Sequence, residues 1–223
     1  MWYTFPMKTK NHYACLLAGA LLSVTGLAQG AQELVLAERG KPAGQIAVAK
    51  DAGPSLKYAA EELRFYVRKL TGVELAVADA ADAINCVPPV GGSQLAATAA
   101  ATIRLEQTED YGADGFCLAA RPPDLVIRGG VRGCLYGVYE LLETYGGVGW
   151  YASWRTVVPK LDRFAVPANL DDVQRPAFTM RMTSWLDATR GDFAARLRLN
   201  GSRAKLEEKH GGAVCRFGKH MGS

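Results

Sequence analysis

The stretch "DLVIRGGVRGCLYGVYELLE", residues 124–143, decides how the chain is read. It passes from an apolar, strand-like segment through paired glycines into a helical pattern, the order in which phosphate-binding loops are built. A dinucleotide fingerprint needs Gly-x-Gly-x-x-Gly, so that the first turn is tight and the backbone can approach a pyrophosphate. Gly130 and Gly133 have the second spacing, but Arg128 stands where the first glycine belongs. About twenty residues on from Gly133, where a ribose-binding acid should lie, stand Ser153 and Trp154. The Gly-Lys-Ser/Thr of a Walker loop is missing too. The glycines fit packing better. Gly133 and Gly137 are four apart, so they share a helix face and let it approach a neighbour closely. A helical glycine costs roughly 1 kcal/mol relative to alanine, so a close contact should offset it. An anion held at this helix start, helped by Arg128 and Arg132, is the alternative.

Upstream, residues 33–37 (ELVLA) and 45–49 (QIAVA) read as short strands. Pro54 opens a helix over 54–70, with Leu56, Ala59, Leu63, Val67 and Leu70 at helical spacing and most charges, Glu62 among them, off that face. Thr71-Gly72 ends it, and residues 74–78 (ELAVA) predict another strand. Residues 79–101 read as an alanine-rich loop with a short helix around 94–99. Strands are then expected at 102–107, 115–120 and 124–129, the last two joined by Arg121-Pro122-Pro123. A second helix runs over 131–145, with Leu135, Val138, Leu142 and Tyr145 on one face. Two helices with one apolar face each, set among these strands, predict a two-layer α/β (α+β) sandwich: a mixed sheet with both helices on one side.

The chain has 223 residues, 49% of them hydrophobic and 22% charged, which is ordinary globular composition. Lys8 and Lys10 precede an apolar run from Ala14 to Leu22 and then small residues, the order of a secretory signal peptide over residues 1–31. That run is shorter than the ~18 residues a spanning helix needs. Export to the periplasm or beyond, with no stable membrane span after cleavage, is expected. Losing the two lysines lowers the formal charge from +4 to +2, too little to argue for a nucleic-acid partner. The charge is unevenly spread, however. Residues 32–174 carry 14 basic and 18 acidic side chains, whereas residues 175–223 carry 10 and 4. Phe178, Met180, Trp185, Phe193, Leu197 and Leu199 interrupt the basic end, so it reads as the start of another folded unit rather than a solvated tail. Of Cys86, Cys117, Cys134 and Cys215 none forms a CxxC pair. No metal or cofactor is expected, and Cys117 and Cys134, inside apolar segments, read as buried thiols.

"DGFCLAARPPDLVIRGGVRGCLYGVYELLE", followed by "GVGWY" and "VVP", resembles the small N-terminal α/β domain that precedes the catalytic barrel in family 20 β-hexosaminidases and family 67 α-glucuronidases. "AAEELRFYVRKLTG" is similar to that domain's first helix. "RPAFTMRMTSW" with "FAARLRLNG" resembles the opening of the barrel, a first strand and its helix with an Arg-x-Arg-x-Asn element. The resemblance implies an N-terminal domain over 32–160, a linker over 161–177 and the start of a (β/α)8 barrel over 178–223. Such a barrel needs about 250 residues, and 46 follow from Phe178 onwards. The expectation is therefore an accessory portion of an O-glycosyl hydrolase, inactive alone, whose basic end has left its acidic partners in the missing barrel. A non-catalytic, secreted carbohydrate-binding or interaction module is the alternative.

A glycosidase sets two carboxyl groups about 5–10 Å apart across the scissile bond. Asp110 with Asp114 flank a predicted turn, and Glu140 with Glu143 read as a solvated helix edge. Asp187 and Asp192 read as caps or turn residues. No catalytic residue is assigned. For substrate binding the resemblance singles out Arg181, since some family 20 relatives hold the sugar with an arginine at the end of this strand; an ion pair is its alternative role. Trp185 is a candidate for stacking on a sugar ring, and His220, with His210 nearby, a candidate to approach the substrate.

Overall fold

The computed structural model describes residues 32–83 and 101–214. The leader expected over residues 1–31, the short helix expected at 94–99, Cys86, Cys215 and His220 lie outside the described residues.

Strands β1 (Glu33–Glu38), β2 (Lys41–Pro42) and β3 (Gly44–Val48) come first. Helix α1 (Pro54–Thr71) begins with its proline at the first turn and ends at Gly72, whose φ of 75° is the left-handed cap that glycine adopts without strain. Then follow β4 (Val77–Asp79), α2 (Ala80–Ala83), β5 (Ala101–Gln107), β6 (Phe116–Arg121), β7 (Asp124–Gly129) and α3 (Gly133–Thr144). A hairpin of β8 (Gly149–Ala152) and β9 (Arg155–Val157) leads to β10 (Arg163–Pro167), β11 (Asp171–Gln174) and the short α4 (Gly191–Arg196).

The main sheet runs β11-β6-β7-β5-β3-β4, and β10-β1-β2 form a second sheet. β4, β3, β5 and β7 are parallel, and β6 runs antiparallel to both of its neighbours, β7 and β11, so the sheet is mixed. Along β5 the alternation is plain: Ile103 and Leu105 are buried, while Arg104 and Glu106 turn to the other face and pair with Asp124 and Arg128 of β7 at 2.8 and 2.6 Å. The apolar face, with Ile46, Ile103, Leu118, Leu125 and Ile127, joins Leu63, Val67 and Leu70 of α1 and Leu135, Val138 and Leu142 of α3 in one core. The expected two-layer α/β architecture is present.

Three segments differ from the sequence reading. Residues 161–177, expected as a linker, contain β10 and β11, which pair with β1 and β6. Both are edge strands, the one place in a sheet where a residue such as Pro167 is tolerated, and so they look like loop in the sequence. The strand expected in FTMRM (178–182), as the start of a barrel, does not form. A barrel strand needs a parallel neighbour for its backbone groups. Here the carbonyl of Arg181 instead accepts the N–H groups of Asn200 and Gly201, both at 3.0 Å. The third difference is α3, which is buried nearly all round: Tyr136 and Tyr139 are as inaccessible as Leu135 and Leu142. Its second face is covered by residues beyond Phe178, and a helix apolar on every side is a buried one.

The glycines of 129–137 serve this packing. A Cβ on Gly133 would lie 2.0 Å from the carbonyl oxygen of Gly115, so helix α3 starts in direct backbone contact with the chain entering β6. The N–H groups of Arg132 and Gly133 donate to the Ala113 carbonyl at 2.9 and 3.0 Å. Amides that would greet an anion at this helix start are already bonded, which removes the phosphate alternative.

Candidate functional site

The chemistry-bearing side chains collect on the seam where residues 178–214 lie against α1 and α3. Arginine supplies most of it, because its planar fork satisfies a carboxylate in two directions and stays charged when buried.

The first cluster is built on Asp114, the residue before Gly115. Its side chain is 11% exposed and that of Arg132 8%. Arg132 Nε donates to Asp114 Oδ1, while Asn200 Nδ2 donates to Oδ2 at 2.6 Å and Arg181 Nη2 lies 3.4 Å from that oxygen. Arg132 Nη1 also donates to the carbonyls of Gly211 and Gly212, at 3.2 Å each. Asn200 Oδ1 accepts the Arg181 N–H at 2.7 Å, and its amide reaches the Thr179 carbonyl at 2.8 Å. Arg181 is thus spent on the seam: Nε donates to the Arg198 carbonyl and Nη1 to that of Phe178.

The second cluster joins α1 to α4. Glu62, only 7% exposed, accepts the Tyr139 hydroxyl at 3.0 Å and the Arg196 guanidinium at 3.1 Å. Arg196 lies over the rings of Tyr66 and Trp150, 5.6 and 5.3 Å from their centroids. Burial pushes the Tyr139 hydroxyl well up, so it remains a donor. A third contact sets Arg198 between Glu140 and Glu143, at 2.9 and 2.6 Å. This glutamate pair is a clamp on one arginine rather than a solvated edge.

Beside the second cluster, fully buried His210 accepts the Glu207 N–H on Nδ1 at 2.9 Å. Its ring hydrogen therefore belongs on Nε2, which meets Asp192 Oδ1 at 2.8 Å. Lys209 Nζ reaches the same oxygen at 2.9 Å, and the Tyr58 hydroxyl donates to it at 3.3 Å. Burial opposes ionisation of Asp192, but the hydrogen bonds from Lys209 and His210 outweigh it and hold the carboxyl down at about 2. Asp187 is lowered as well, by the hydroxyl and N–H of Ser153. A glycosidase acid needs the opposite shift.

A pH effect follows. Asp192 favours folding fully above its ordinary value of 3.8, and that contribution is lost as pH falls through about 2. The variant Asp192→Asn should lose stability less steeply than the parent between pH 4 and 2 in urea titrations. The difference should be small, because the side chain is half exposed.

Of the residues singled out for substrate binding, Arg181 is bound within the Asp114 cluster, Trp185 is 52% exposed with its ring edge-on to Phe193, and His220 lies outside the described residues. Sequence reasoning missed Glu62, Arg132, Arg196 and Asn200 as seam residues. A signal was present for Glu62: with Ala59 and Tyr66 it falls at i, i+3 and i+7, on the buried side of α1. The basic end also differs from expectation, since Arg181, Arg196 and Arg198 find their acids within the preceding α/β layer of this chain. Cys117 and Cys134 are free and buried, and burial pushes the Cys134 thiol up to about 12. Among the described residues no His, Cys, Asp and Glu side chains group as metal ligands, and no helix is long and apolar enough to cross a membrane.

Comparison with known proteins adds three findings. Residues 150–221 match a family model described as "Domain of unknown function (DUF4838)". No curated protein matches. Among solved structures the chain is similar to a mutant Streptomyces plicatus β-hexosaminidase in complex with GlcNAc (17% identity, 77% of this chain, 31% of that one, TM-score 0.45). It is likewise similar to the GH20 β-N-acetylhexosaminidase of Streptomyces coelicolor A3(2) (17%, 77%, 31%, 0.46). A third likeness is to a family GH115 4-O-methyl-α-glucuronidase with specificity for decorated arabinogalactans (15%, 75%, 25%, 0.46). The chain spans a third or less of the length of each of these enzymes.

Proposed function

We propose that this chain is the accessory N-terminal portion of an exported glycoside-hydrolase-like protein of carbohydrate metabolism, and that its α/β layer cradles the first segment of a following catalytic domain. One observation carries the reading. The Asp-Gly-Phe, Arg-Gly-x-x-Tyr-Gly and Arg-x-Arg-x-Asn elements, far apart in sequence, supply Asp114, Arg132 and Asn200 to one buried cluster, joined there by Arg181 of FTMRM. Motifs that meet in this way are those of a built joint between two parts. The carboxylates that sequence inspection could offer as an acid and base are engaged: Asp110 by the Thr108 hydroxyl, Asp114, Glu140 and Glu143 by arginines, Asp187 by Ser153 and Asp192 by Lys209 and His210.

The purified chain should therefore leave aryl hexosaminides, glucosides and glucuronides intact, with release of the chromogenic phenol indistinguishable from buffer. Turnover that survives a further chromatographic step would overturn the assignment. Export is tested separately by fusing residues 1–31 to a reporter active only outside the cytoplasm.

A further inference from the structure

A cavity of about 410 Å³, a size that small-molecule pockets have, opens at the carboxyl edge of the parallel strands. Its walls include Gly53, Pro54 and Ser55 at the start of α1, Gln107 at the end of β5, Val131 after β7, and Glu208. β3 sends its chain through α1 to β4 on one side, whereas β5, on the other side of β3, leads on to β6 and β7. Neighbouring parallel strands whose connections part in this way leave a crevice outside their carboxyl ends, where ligands bind in open α/β sheets.

Unlike α3, whose first amides are bonded to Ala113, α1 begins with free donors. The N–H groups of Leu56 and Lys57 donate to the Gly53 carbonyl at 3.1 and 3.2 Å, and Pro54 has no N–H. The amides of Gly53 and Ser55 have no acceptor among the described residues. Ser55 is 5% exposed, and its hydroxyl has no hydrogen-bond partner among the described residues either. A buried hydroxyl left in this state is rare and unfavourable. Here it belongs to the cavity wall, at the positive end of an 18-residue helix. Two further groups are unengaged. Gln107 Oε1 lies 4.0 Å from where a Cβ on Gly53 would stand, and the Glu208 carboxylate has no ion pair among the described residues. Opposite charge preferences thus meet in one cavity: the helix start suits an anion, and Glu208 suits a cation. Pro54 and Val131 add apolar surface.

We propose that this cavity binds a small α-amino acid in its zwitterionic form. The ligand carboxylate accepts from the Ser55 hydroxyl and from the amides of Gly53 and Ser55. Its ammonium donates to Glu208 and to Gln107 Oε1, and a short apolar side chain rests on Pro54 and Val131. A lone anion would face the Glu208 carboxylate and a lone cation the helix start, so neither satisfies the site by itself. The assignment is independent of the reading as an accessory portion. A chain without amino-acid affinity leaves that reading intact, and a chain that hydrolyses glycosides leaves this one intact.

The test titrates the whole chain at neutral pH with L-alanine and L-valine, followed by calorimetry and saturation-transfer NMR. Acetate and ethylamine, which each carry one of the two charges, are titrated in parallel. The expected result is saturable binding of at least one amino acid with Kd around 1 mM, and binding of acetate and ethylamine at least roughly tenfold weaker. Ser55→Ala and Glu208→Gln should each weaken amino-acid binding roughly tenfold. Neither should lower the unfolding midpoint of the ligand-free chain, because the Ser55 hydroxyl bonds to nothing among the described residues and Glu208 is exposed. Four results would overturn the proposal. They are no saturable signal up to about 50 mM of either amino acid, acetate or ethylamine bound as tightly as the amino acid, unchanged affinity in both variants, or a midpoint lowered by Ser55→Ala. The last would show that the Ser55 hydroxyl is held within the fold rather than kept for a ligand.

Discussion

Asp114→Ala should destabilise the protein by about 3–5 kcal/mol, the cost of leaving buried cationic partners without their counter-charge. Arg132 is 8% exposed and loses the acceptor of its Nε, Arg181 loses its ion pair, and Asn200 loses a 2.6 Å acceptor. Nothing nearby replaces the carboxylate, because Glu62, Glu140 and Glu143 are held by Arg196 and Arg198. Urea denaturation gives the magnitude, and hydrogen exchange gives the location. The amides of Asn200 and Gly201, bonded to the Arg181 carbonyl, should lose protection first, because Asn200 and Arg181 are fixed by Asp114. Asp114→Asn should cost less, since it keeps the shape and an acceptor oxygen while removing the charge. Equal protection across residues 178–201 in parent and Asp114→Ala would show that the seam is held elsewhere.

Local chemistry was legible in the sequence and remote pairing was not. Pro54, the spacing of Leu56, Leu63, Val67 and Leu70, and Gly72 define α1 to within a residue, because capping and periodicity act inside one helix. The β6–β7 pair is equally local, its strands joined directly through Pro122-Pro123. By contrast β10 pairs with β1, whose partner Glu33 stands opposite Pro167, and no short-range pattern announces a partner so distant in the chain. The seam was harder still. Asp114 looks like a turn residue in sequence, and its three side-chain partners come from positions 132, 181 and 200. The ion-pair alternative for Arg181 was visible, but its acid was not, because a carboxylate carries no mark of which arginine will reach it. The uneven charge was the best available hint. Its meaning is reversed by the structure: the acidic layer and the basic end attract each other within one chain.

Gly133→Ala should be among the most damaging single changes, although in an isolated helix it would help. Alanine is favoured over glycine by about 1 kcal/mol in a helix interior and by less at a first helical position such as 133, so local propensity still predicts a small gain. Position 133 is different, because the new Cβ would lie 2.0 Å from the Gly115 carbonyl oxygen and 2.9 Å from its carbon. Backbone cannot rotate aside as a side chain does. Relief would require α3 to move away from the 113–115 segment, which breaks the Arg132 and Gly133 amide bonds to Ala113 and draws Arg132 from Asp114. Overpacking costs about 1–3 kcal/mol where side chains can yield, and more where they cannot; here about 3 kcal/mol or more is expected. Gly137→Ala supplies the internal contrast. Its Cβ meets the Ile127 methyl at 2.8 Å and the Phe116 ring at 3.3 Å, side-chain atoms with room to adjust, so its loss should be clearly smaller. A thermal-denaturation series of the two variants separates backbone contact from side-chain packing. If Gly133→Ala proved as stable as the parent, the close approach of α3 to the start of β6 would not be what this glycine provides.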